Sequence, residues 1–189
     1  MMEWFFKTVR IAGASFPGAS SLVQLQAELD YIKMEERITK LTDPISYLHD
    51  DIQEISKIIY LKLKELDSQT LDFDEQFYEK YSRALASLES QNYIKGQHII
   101  GKQFKFGISL IDPSFIMYMC VLAEDNNKME SLTKAVDSCE VGKSLKGELL
   151  KSELGLPIEV IRAIFEIYSS KGYGLVSKEV GSAVYIGKA

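Results

Sequence analysis

The chain has 189 residues, 46% of them apolar and 26% charged, with 27 acids against 22 lysines and arginines for a net charge of −5. These proportions suit a folded protein of one or two small domains and exclude disorder as a description of the whole chain. The acidity counts against a dedicated phosphate-neutralising nucleic-acid binder and leaves room for a local basic patch.

The two cysteines, Cys120 and Cys139, have no dense spacing. They read as small buried side chains in a reducing, cytoplasmic setting rather than as a disulfide or a metal site.

At the N-terminus, Trp4, Phe5 and Phe6 precede Lys7 and Arg10, and Ile11 to Ala27 carries no charge. A secretory signal places its charges before a dense apolar core, and this run is broken by Gly13, Pro17 and Gly18. It is also a poor membrane span, which needs roughly 20 predominantly apolar residues. Two readings stand: a short segment docked on protein, or an interfacial anchor that puts Trp4, Phe5 and Phe6 into a membrane surface.

Ser21 and Gln24 have capping-box spacing, and Thr42-Asp43-Pro44 is a stop, so a helix is predicted from there to about Leu41. Leu22, Leu25, Leu29 and Ile32 form its apolar stripe, a candidate partner or homodimer contact too short to specify a coiled coil. Residues 1–42 are therefore read as an N-terminal docking segment.

Asp51 and Glu54 mark a second helix start, followed by the stripe Ile52, Ile55, Ile59, Leu63 and Leu66. Asp72 and Glu75 mark a third, with Phe73, Phe77 and Tyr81 on one face and a break expected near Tyr81-Ser82. From Tyr93 to Ile100 the period changes to that of a strand. Gly101-Lys102 supplies a turn, and Gln103 to Ile111 returns.

Asp112-Pro113 opens a helix with apolar Phe115, Ile116, Met119 and Leu122 on one face. Helices are predicted from about Met129 to Cys139, from Ser144 to Leu154 and, after the turn Gly155-Leu156-Pro157, from Ile158 to Lys171. A hairpin over Tyr173–Lys178 and Ser182–Gly187 closes the chain.

The segments Leu88-Glu-Ser-Gln-Asn-Tyr93 and Tyr168-Ser-Ser-Lys-Gly-Tyr173 correspond at an offset of 80 residues. Each ends an amphipathic helix on a residue suited to the left-handed conformation, Asn92 or Gly172, and each places a tyrosine where a strand begins. The stretch Ser82 to Lys95 resembles the third helix and first wing strand of the winged-helix superfamily. Leu154-Gly-Leu-Pro-Ile-Glu-Val-Ile-Arg162 with Lys171-Gly-Tyr-Gly174 resembles the same elements more closely. The resemblance implies a mainly α fold with small β-hairpin wings, arranged as two tandem modules over residues 43–124 and 125–189.

In that superfamily the third helix commonly enters the major groove and the wing touches phosphate. Carried over, the first module offers Ser82, Arg83, Ser87 and Gln91 for reading, with Lys95, His98, Lys102 and Lys105 on its wing. The second offers Glu159, Arg162, Glu166 and Ser169, where two acids oppose phosphate. A solvated hairpin charged on its outer face is the alternative for the first wing.

No Walker or dinucleotide glycine pattern, no zinc spacing and no nucleophile–histidine context is present in the sequence, and His49 beside Asp50 and Asp51 suits a helix start. Catalytic, cofactor and metal roles are accordingly not expected. The reading favoured by these observations is a non-enzymatic interaction subunit of a bacterial-type assembly, with a protein as partner. The alternatives are a DNA-binding regulator using the first wing and a membrane-proximal effector.

Overall fold

The computed structural model describes residues 45, 48–98, 105–177 and 183–188. The N-terminal segment expected to dock, with Trp4, Phe5, Phe6, Leu22, Leu25, Leu29 and Ile32, lies outside the described residues, as does Lys102. The described part is mainly helical with two small three-stranded antiparallel sheets.

The first half runs α1 (Ile52–Leu66), β1 (Thr70–Leu71), α2 (Glu75–Lys80), α3 (Ser82–Ser90), β2 (Ile94–His98) and β3 (Lys105–Leu110). A linking helix, α4 (Pro113–Leu122), follows. The second half runs α5 (Asn126–Asp137), β4 (Ser144–Lys146), α6 (Gly147–Leu154), α7 (Ile158–Ser170), β5 (Gly174–Ser177) and β6 (Val184–Gly187). The order helix, strand, helix, helix, strand, strand is thus traversed twice. In both sheets the third strand lies in the middle, β1-β3-β2 and β4-β6-β5.

The offset of 80 residues holds in the backbone. Helices α3 and α7 end at Ser90 and Ser170, and strands β2 and β5 start at Ile94 and Gly174. Asn92 and Gly172 take the left-handed conformation, with φ of 61° and 81°. The N–H of Tyr93 donates to the Leu88 carbonyl at 3.0 Å, and that of Tyr173 to the Tyr168 carbonyl at 3.2 Å. These are the six-to-one bonds that satisfy a helix's last carbonyls while turning the chain back. The two tyrosine carbonyls then close the ends of the ribbons. Tyr93 accepts from Ile111 and Asp112, and Tyr173 from Lys188.

Several expectations are corrected. Ser144–Lys146 is a strand paired with β6, not the first turn of a helix. Gly147 then begins α6 where a side chain has no room: an added Cβ would lie 2.8 Å from the Ala183 carbonyl oxygen. Strand β1, two residues paired with Ser109 and Ile108, was not expected. Asp51 makes no side-chain cap, and Glu54 accepts from Lys80 and the Tyr81 hydroxyl while the Asp51 N–H donates to His49 Nδ1. Asp74 rather than Asp72 caps α2, accepting from the Phe77 N–H at 2.8 Å. Leu66 ends the α1 stripe exposed. The Asp112-Pro113 start holds as read, with Asp112 accepting from the Phe115 N–H at 2.9 Å.

The largest departure is α4. It has no single apolar face: Ser114 to Cys120 are all buried. A helix apolar all round belongs inside a protein. Helix α4 packs on α1 of the first half and on α7 and α5 of the second. The buried apolar residues form one cluster from Ile45 to Tyr185 that crosses the expected boundary at Glu124.

Candidate functional site

The two third helices carry the residues singled out for contact, and their surroundings differ. Helix α7 buries Ile161, Ile164, Phe165 and Tyr168, the face expected to form a core. Its opposite face, Glu159, Val160, Ala163 and Ile167, is buried too, and α4 lies alongside. Only Arg162, Glu166 and Ser169, a strip at helical spacing, are half-buried, with Ser170 exposed at the end.

Arg162 is committed within that strip. Its Nη1 donates to both Glu159 carboxylate oxygens at 2.7 Å. Burial pushes the Glu159 carboxyl above its ordinary range, Arg162 opposes this, and the charges of Asp67 and Glu166 add to the rise. Losing one member of such a pair strands the other charge, so Arg162 is held in the protein by this partner.

Helix α3 is open. Ser82, Arg83, Ala86, Ser90 and Gln91 are exposed, while Ala84, Leu85 and Leu88 face the core. The Ser87 hydroxyl donates to the Arg83 carbonyl at 3.0 Å. Glu89 accepts from the Gly96 N–H at 2.9 Å, tying the first strand of the ribbon to the helix. Lys95 is exposed on β2, and His98 and Lys105 are cross-strand partners at an irregularity in the β2–β3 register. The structure thus brings Arg83 and Lys95 to the same half, on neighbouring elements, and separates Arg162 from them as a residue of the α7 strip.

A second constellation joins the halves, and sequence reading missed it. Asp67 follows α1 with φ of 48°, in the left-handed region. Its Oδ1 accepts from the Ile158 N–H at 2.7 Å, and its Oδ2 meets Lys151 Nζ at 2.5 Å. A carboxylate of the first half therefore caps α7 of the second, whose own N-cap is Pro157 with no side-chain acceptor.

Beside it, the Tyr60 hydroxyl donates to Asp125 at 2.9 Å and lies 3.2 Å from the Cys120 sulfur. Lys64 and Lys128 pair with the same Asp125 carboxylate, each at 3.0 Å. Burial raises the Asp125 carboxyl, but the bonds from Lys128, Lys64 and Tyr60 outweigh it and hold the group below its ordinary value. Burial also lifts the Cys120 thiol to about 12.

A cavity of about 270 Å³ lies at the end of the second sheet, bordered by Tyr168, Tyr173, Tyr185, Asp137 and Lys188. Its acid is engaged, since the Tyr168 hydroxyl donates to Asp137 at 2.6 Å. The expected helix-start role of His49 is met by its Nδ1, which accepts from the Asp51 N–H at 3.2 Å. Among the described residues no group of three or more His, Cys, Asp or Glu side chains could hold a metal ion. No helix among them is long and apolar enough to cross a membrane. Comparisons with protein-family models, with characterised proteins and with solved structures gave no match.

Proposed function

We infer that the chain is a non-catalytic interaction subunit built from two winged-helix modules, engaging a protein partner through the open third helix of the first. The winged-helix reading is supported by the repeated element order, the shared middle position of the last strand and the matching helix ends. The observation that carries the functional reading is the burial of α7 beneath α4. A duplex reader needs its third helix free to enter a groove about 12 Å wide. Here one of the two third helices is used up in joining the modules.

The other third helix, α3, presents small and polar side chains with Arg83 as its one cation between Ser82 and Ser90. An exposed face of serine, alanine and glutamine beside Arg83 suits close approach by a protein surface, whereas phosphate recognition draws on several basic groups.

The test is capture of a partner from the native source by the tagged full chain. An Ala86→Arg variant, altered at an exposed residue in the middle of α3, is expected to lose the captured protein while keeping the parent's melting temperature. Retention of the same partner by that variant removes α3 as the contact. The DNA-regulator alternative would rest on the ribbon and is separable by Lys102→Glu with Lys105→Glu, which it requires to abolish duplex binding.

A further inference from the structure

The two halves repeat one element order, so positions in one have counterparts in the other. The carbonyls of Leu88 and Tyr168 accept the same helix-ending bond, and the amides of Ile111 and Lys188 donate to the tyrosine carbonyls that close the ribbons. Ile108 pairs with the third residue of β2, Gly96, as Tyr185 pairs with the third of β5, Val176. The first half therefore places Leu88, Ile108 and Ile111 where the second has Tyr168, Tyr185 and Lys188. The fold does not demand polar groups at these positions, and in the second half all three border the cavity of about 270 Å³.

Tyr185 is 1% exposed, yet its hydroxyl has no hydrogen-bond partner among the described residues and is not sealed in protein. It opens on the cavity, where solvent or a ligand must satisfy it. Burial first, then the neighbouring Cys139 and Asp137, raises this phenol above its ordinary pKa, so at neutral pH it donates as well as accepts. Asp137 gives one carboxylate oxygen to the Tyr168 hydroxyl at 2.6 Å, and its other oxygen has no partner among the described residues. Lys188 has no ion pair among them either. Both charges are exposed at the open side of the cavity. The rings of Tyr173 and Tyr185 stand 6.1 and 6.3 Å from that of Tyr168, at 58° and 87° to it. Such steep angles make a corner rather than a parallel-walled slot for a flat ring.

We propose that this cavity binds a small zwitterion, an ammonium carboxylate of the amino-acid or betaine class. The ammonium head lies in the tyrosine corner, where ring faces attract a cation, with the free oxygen of Asp137 beside it. The carboxylate meets Lys188, and the Tyr185 hydroxyl bonds the ligand from the buried side. A plain cation would be opposed by Lys188 and a plain anion by Asp137, whereas a ligand carrying both charges satisfies both. The volume is below the roughly 300–1,000 Å³ of sites for drug-sized ligands, so the ligand is compact. This assignment is independent of the adaptor reading and of any protein partner.

The test is titration calorimetry of the full chain with glycine betaine, whose head is quaternary, and L-proline, whose head is not. Choline and acetate, each carrying one of the two charges, are the controls. At least one zwitterion is expected to bind saturably at about 1 mM or tighter, and both controls about tenfold more weakly. Tyr185→Phe keeps the ring and removes only the hydroxyl, and is expected to weaken the bound zwitterion about tenfold. Lys188→Glu alters an exposed residue, is expected to weaken it about fivefold, and serves if the first variant misfolds. Whichever of betaine and proline binds more tightly assigns the head group. Absence of binding by both zwitterions overturns the proposal, as does affinity unchanged by Tyr185→Phe in the folded variant. Choline binding as tightly as betaine, and more tightly still in Lys188→Glu, also overturns it and makes the corner a site for a plain cation.

Discussion

Asp67 is the residue whose replacement reports most sharply on the joint between the halves. It accepts the Ile158 N–H at 2.7 Å and meets Lys151 at 2.5 Å, across 91 and 84 residues of sequence. A side-chain cap is worth about 1 kcal/mol, and an anion at a helix N-terminus adds roughly 0.3–1 kcal/mol. The ion pair adds little, because Lys151 is 42% exposed and solvent screens it. Asp67→Asn keeps an acceptor and a residue that tolerates φ of 48°, and loses only the charge. Its expected cost is about 1 kcal/mol.

Asp67→Ala loses the acceptor as well and pays a further ~1 kcal/mol for a left-handed alanine, giving roughly 2–3 kcal/mol in all. Lys151→Met should cost under about 0.5 kcal/mol. The assay is urea unfolding of each variant, with the midpoint compared at unchanged slope. Asn and Ala variants both within about 0.5 kcal/mol of the parent, the range of an ordinary surface substitution, would falsify the cross-half cap.

Three further outcomes are expected. A Cβ on Gly174 would fall inside the Tyr185 ring, which is fully buried, so Gly174→Ala should destabilise by about 2 kcal/mol or more in the same urea assay. Cys120 is buried with its thiol pushed up to about 12, whereas Cys139 is half-buried. A disulfide reagent should therefore titrate Cys139 in the folded protein and Cys120 only on unfolding, and rapid native labelling of Cys120 would contradict the packing.

The third concerns Asp125, whose carboxyl is held below its ordinary 3.8 in the folded state. A depressed carboxylate contributes stability above its unfolded value and loses it as the pH falls through the folded one. Melting temperature should drop as the pH is lowered below 3.8, and Asp125→Asn should flatten that part of the profile.

Local signals were legible where local physics decides. Asn92 and Gly172 end their helices because few residues accept a positive φ, and the tyrosines after them begin ribbons for the same reason. Asp112-Pro113 starts α4 as read, and the break at Tyr81 falls between α2 and α3.

Long-range pairing was not legible. Thr70–Leu71 is too short to show alternation and becomes a strand only because Ser109 and Ile108 lie beside it. Ser144–Lys146 continues the amphipathic pattern of α6 into residues that β6 claims. Of the candidate contact residues, Arg83 and Lys95 are exposed as a contact requires. Arg162 is held by Glu159 on a helix that α4 covers, and the covering depends on the all-round apolar character of Ser114–Cys120. Asp67 gives no local sign of capping a helix that starts 91 residues later.

The most direct measurement is the fluorescence anisotropy of a labelled DNA duplex titrated with the full chain at about 50 and 200 mM salt. With α7 covered and α3 carrying a single cation, no tight binding is expected at either salt. Nanomolar binding at the lower salt that weakens by orders of magnitude at the higher, and that disappears in Lys102→Glu with Lys105→Glu, would contradict the adaptor reading and make the first ribbon a phosphate contact.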